Sequence, residues 1–165
     1  MTTLAGLLFA SGLAAAAATQ ENAHCPMAGA SEHQAQVDRR HDDATGVAHE
    51  GTVHHFLLAD DGGSIRLEVT DPGQIEARDR IREHLQHVAR SFAAGDFALP
   101  MLIHDRVPPG VDVMKERRSA IRYSYAPSAN GGAVRISTPN ATALEAIHEF
   151  LRYQIRDHGT NDPTE

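Results

Sequence analysis

The strongest constraint on this chain is a pattern of strands, turn and helix that occurs twice. Thr52 to Ala59 reads as a strand, Asp60-Asp61-Gly62-Gly63 as a turn, and Ile65, Leu67 and Val69 alternate with Arg66 and Glu68 on the way back. Asp71-Pro72-Gly73 opens a helix to about Ala94, with Ile81, Leu85, Val88 and Phe92 on one stripe, and Gly95-Asp96 stops it. In the second half, Ile121, Tyr123 and Tyr125 alternate with Arg122 and Ser124, Asn130-Gly131-Gly132 turns the chain, and Val134 and Ile136 return. Thr138-Pro139-Asn140 then leads into a helix with Leu144, Ile147, Leu151 and Ile155 on one face. The words match as well as the plan: Gly62-Gly63-Ser64-Ile65-Arg66-Leu67 answers Gly131-Gly132-Ala133-Val134-Arg135-Ile136.

These signals predict a single α+β domain over residues 51–158, a duplicated ββα unit. Its antiparallel sheet carries two main helices packed on one face. Between the copies, Phe97 to Asp105 is expected to add a strand, Pro108-Pro109-Gly110 to break it, and Val111 to Arg118 to form a short helix or an irregular crossing. Residues 159–165 read as a disordered C-terminus. With no tryptophan and few aromatics, the core is expected to be aliphatic.

Ahead of the domain, Leu4 to Ala18 is an apolar, alanine-rich run followed by Thr19-Gln20-Glu21, the pattern of a cleaved secretory signal over residues 1–18. It is shorter than the roughly 20 apolar residues of a spanning helix. A periplasmic or secreted protein with no membrane span after cleavage is therefore expected. Residues 19–50 are polar and lack a sustained apolar period, so they read as a flexible, His-containing tail. His33, His41 and His49 recur every eight residues there, but eight residues rotate a helix by about 80°. No common face follows from that spacing.

Composition narrows the partners. A formal charge of −7 argues against nucleic acid, whose phosphates need a basic face. The lone Cys25 cannot form an internal disulfide. Eleven histidines are the unusual feature, and protonating all of them would carry the formal charge from −7 to +4.

Three groups of residues are candidate metal ligands. His54 and His55 are adjacent on a strand and therefore point to opposite faces. Met101 and His104, with Met114 beyond the Pro-Pro-Gly turn, combine thioether and imidazole, a donor set suited to copper and above all Cu(I). His24, Cys25 and Met27 offer imidazole, thiolate and thioether within four residues. His84 and His87 sit on the first main helix, His84 beside the apolar stripe and His87 exposed, and His148 flanks the stripe of the second helix. Stronger signatures are missing. Cysteine-rich structural zinc is excluded by the single Cys25, His49-Glu50-Gly51-Thr52-Val53-His54 has one residue too many for a zinc-protease helix, and the Gly-Gly pairs are hairpin turns and not phosphate loops.

His-His-Phe at 54–56, Pro100-Met101 through His104-Asp105, Pro108-Pro109-Gly110-Val111 with Val113-Met114-Lys115, and Arg135-Ile136-Ser137-Thr138 resemble a group of small exported bacterial proteins of unassigned activity. The resemblance covers roughly residues 50–158. It implies that the hairpin histidines and the Met/His crossing belong to a recurring unit, and carries no catalytic residue.

The leading expectation is a periplasmic metal-binding protein for copper, with zinc as the other ion, acting in trafficking, sensing or sequestration. The second is a non-enzymatic envelope interaction module that binds a peptide or protein partner through a groove or an edge strand. The third is a hydrolase using His104-Asp105 as an oriented base.

Overall fold

Two hairpins meet back to back in the sheet. The computed structural model describes residues 26–165 and places them in an α+β architecture of five helices and one four-stranded antiparallel sheet. Strand β1 (Thr52–Ala59) pairs with β2 (Gly62–Val69), β2 with β4 (Gly131–Ser137), and β4 with β3 (Arg122–Pro127), giving the order β1-β2-β4-β3. The second strand of each hairpin is thus central and the first is an edge. Helix α1 (Pro26–Thr45) precedes the sheet, α2 (Ile75–Ala94), α3 (Ala98–His104) and α4 (Val111–Glu116) join the hairpins, and α5 (Ala141–Asp157) closes the chain.

The Gly-Gly words lie inside β2 and β4, where the turns had been expected. Ala59 faces Gly62 in the register, so Asp60 and Asp61 alone make the first turn. A Cβ on Gly62 would run into the carbonyl oxygen of Ile136, and one on Gly131 into that of Leu67. Close approach of the two central strands is what demands glycine at both places.

The apolar stripes behave as their spacing predicts. Ile81, Leu85, Val88 and Phe92 of α2 are buried, as are Ile147, Leu151 and Ile155 of α5. With Phe56, Leu67, Val134 and Ile136 of the sheet they form one core. Helix α2 packs against β2, β3 and β4, and α5 against β1 and β2. Gly95 ends α2 in the left-handed region at φ 81°. Asn140 caps α5, its side chain accepting a hydrogen bond from the Ala143 N–H at 2.9 Å.

Two segments depart from expectation. Phe97 to Asp105 forms no strand: Ala98–His104 is helix α3. A short apolar run does not distinguish strand from helix by period alone, and Pro100 falls in the first turn, where a helix tolerates it. The segment expected as a flexible tail is largely α1. It has no apolar stripe, and among its described side chains, residues 32–45, Val37 and His41 are buried. Polar contacts hold it instead. The Arg40 Nε donates to the Ile103 carbonyl of α3, and His33 on α1 and His104 on α3 share the carboxylate of Asp157 on α5. Among the described residues, no helix is long and apolar enough to cross a membrane.

Candidate metal centre

Five separate elements deliver histidines to one end of the core. His41 comes from α1 and His49 from a single 3-10 turn, His49–Gly51, just before the sheet. His54 comes from edge strand β1, His84 from α2, and His158 from the residue that ends α5. Helix α1 stops at Thr45, and Gly46 at φ 67° lets the chain reverse so that His49 returns beside His41. Alternation along β1 turns His54 inward, next to buried Phe56, and His55 outward.

One nitrogen each from His41, His49 and His54 lie within 4.8 Å of one another, close enough for the three to hold a metal ion. The Nε2 atoms of His41 and His54 are 3.0 Å apart. Two nitrogens bound to one ion at ~2.0–2.1 Å lie roughly 2.9–3.4 Å apart for angles from square-planar to tetrahedral. The Nδ1 atoms of all three rings are buried without a hydrogen-bond partner. His49 also has its Nε2 at 3.6 Å from the Asp38 carboxylate, and its backbone N–H donates to Asp42 at 2.8 Å. A carboxylate behind a ligating imidazole is a recurrent way of orienting it.

Burial disfavours the charged forms of His41 and His54 and so leaves their rings able to ligate. The pKa of His41 is held down to about 4, first by loss of water and then by repulsion from His49 and His104. His84 is also held at about 4, by burial and then by His41 and His87. Burial pushes His54 and His158 well below the ordinary range, helped by His41 for His54 and by His104 for His158.

The further histidines extend this group. The ring of His158 stacks on that of His54 with centroids 5.5 Å apart and meets the ring of His104 edge-on at 5.0 Å. His84 lies edge-on to His41 at 6.1 Å. His104, 1% exposed, turns Nδ1 to Asp157 and Nε2 to the Gln154 side-chain oxygen at 2.8 Å. Its carboxylate partner is therefore Asp157. Asp105, expected to serve it, is exposed and ends α3 at φ 52°.

Of the residues singled out in the sequence, His54 enters the three-histidine group and His104 lies one ring beyond it, across His158. His55 faces away and its Nδ1 meets Asp162 at 2.8 Å. Met114 is fully buried in the hydrophobic core, and Met101 is half-buried on α3. His24 and Cys25 lie outside the described residues, as does the side chain of Met27. Eight-residue spacing breaks a helical face, so spacing does not single out His41 and His49. A usable signal was Val37 with His41, an i, i+4 pair standing alone in a polar helix.

Family models, curated proteins and solved structures were all compared with the chain, and none matches it.

Proposed function

We propose that this is an exported metal-binding protein that holds one transition ion at His41, His49 and His54, in trafficking, sensing or sequestration. The observation that carries the reading is the 3.0 Å approach of the His41 and His54 Nε2 atoms, with the third imidazole beside them. Such an approach costs hydrogen-bonding capacity: three buried Nδ1 atoms are left without partners. An all-imidazole donor set suits copper or zinc. Export rests on the apolar run of residues 4–18 and on the resemblance to small exported bacterial proteins.

The same reading takes the domain as a duplicated ββα unit with α2 and α5 on one face of the sheet. Gly62 and Gly131 support it, since each meets the corresponding carbonyl of the other hairpin, Ile136 and Leu67. Laying the first hairpin on the second in that register puts Tyr123 where His54 stands. The metal site is then an addition to one copy, built with α1.

Titration calorimetry of the purified protein with Cu(II), Cu(I) and Zn(II) tests the proposal. One ion per chain at micromolar affinity or tighter is expected, with loss of binding in His41→Ala and His54→Ala. Binding weaker than micromolar, or binding indifferent to these substitutions, overturns it.

A further inference from the structure

We propose that the cavity beside His41 and His54 is a ligand chamber, in which a small anion of two to four heavy atoms binds the ion held by His41, His49 and His54. This rests on the metal-binding reading above. His41 and His54 line the cavity as well as forming the metal group, so an ion between them borders it. Three protein ligands leave a further coordination position, the arrangement of sites that bind an exogenous group rather than merely hold a metal.

The size and lining of the cavity select the ligand. Its volume is about 60 Å³. One water needs roughly 10–15 Å³ by the same measure, so a few heavy atoms fit. Phe56, Val88, Phe92 and Leu99 make much of the wall apolar, while Gln154, His104 and His158 supply the polar side.

That polar side is rich in donors. Gln154 is 3% exposed, and its side-chain NH₂ has no partner while its oxygen accepts from His104. The Nδ1 of buried His158 is also unpartnered, and it donates in the tautomer that carries the ring proton there. Both ring nitrogens of His104 are engaged, Nδ1 by the Asp157 carboxylate and Nε2 by the Gln154 oxygen. That carboxylate is not part of the cavity wall. Unpaired buried donors are costly, and a bound anion would satisfy them in a low-dielectric setting where such bonds are strong.

The test is an azide titration of the full-length protein loaded with one Cu(II) per chain, read by azide-to-copper charge-transfer absorption. A saturable band is expected. Gln154→Leu should weaken azide at least about tenfold, and Leu99→Trp, which fills the cavity from its half-exposed rim, should abolish the band. Both variants should keep copper affinity within about threefold. An azide response equal in the wild type and both variants overturns the chamber. Copper binding without any azide response overturns this inference and leaves the metal-binding reading standing. Failure to bind copper at all overturns both.

Discussion

The Nε2 atoms of His41 and His54 face each other across 3.0 Å in the protein interior, one delivered by α1 and the other by the edge strand β1. The Asp42 carboxylate stands 3.7 Å from the His41 Nδ1, within ion-pair range but too far for a hydrogen bond. Two neutral rings can share only one hydrogen bond between those atoms, and both Nδ1 atoms go without.

Replacing His49 isolates ligation from folding, because its side chain is 28% exposed while those of His41 and His54 are buried. His49→Ala should lower Cu(II) or Zn(II) affinity at least about 100-fold, equivalent to about 2.7 kcal/mol. The midpoint of urea unfolding of the metal-free protein should hardly move. Titration calorimetry and denaturation on the same sample separate the two effects.

Shortening the N-terminus should have a sharp threshold. Removing residues 20–25, with His24 and Cys25, should leave affinity within about twofold. Extending the deletion through residue 48 removes His41 and the α1 contacts to Ile103 and Asp157, and should abolish binding. Equal affinity for the two deletions would place the ion away from α1.

Acid should destabilise the metal-free protein over a defined interval. His41 and His84 titrate at about 4 in the folded chain because burial disfavours their charged forms, while unfolded imidazoles take up protons near 6.5. The unfolded state therefore binds more protons between these values, and stability falls as pH drops from about 6.5 to about 4. For His41 alone the full effect is about 3 kcal/mol. Urea midpoints measured across that range should decline steadily and level off above about pH 7. Bound metal should move the decline to lower pH, since ion and proton compete for the same nitrogens. A flat profile would contradict the burial of these rings.

Asp157 should act as the anchor of the polar assembly. Burial opposes its ionisation, but hydrogen bonds from His33 and His104 outweigh this and hold its carboxyl below the ordinary range. Asp157→Asn keeps the shape and removes the charge shared by α1 and α3. Unfolding free energy should fall by about 2 kcal/mol, and metal affinity about tenfold as α1 loosens. Wild-type values in urea denaturation and in metal titration would show that α1 is held by other means.

Most of the hairpin and helix plan was legible because period is a local property. The stripe from Ile81 to Phe92, the alternation from Ile65 to Val69, and the capping residues Asn140 and Gly95 all act within a few residues. That His54 and His55 point to opposite faces followed from strand alternation alone; which of them turns inward did not. Helix α3 was misread because seven residues from Ala98 to His104 carry too few turns to show a period. The docking of α1 was illegible for another reason. Among its described side chains, hydrogen bonds from His33 and Arg40 and the single buried apolar residue Val37 join it to the domain, and such contacts leave no apolar pattern.

Taken alone, the chain determines where its strands and main helices lie, which faces they bury, and that an excess of imidazole must be accommodated. Burying apolar stripes is favourable for almost any partner, so the pattern shows through. Which histidines meet was decided only in three dimensions. His41, His49 and His54 converge because α1 reverses at Gly46 and returns against β1, and His104 is claimed by Asp157 instead of its neighbour Asp105. Convergence of donors within a few ångströms depends on the mutual placement of elements from α1 to α5, and no spacing along the chain encodes that.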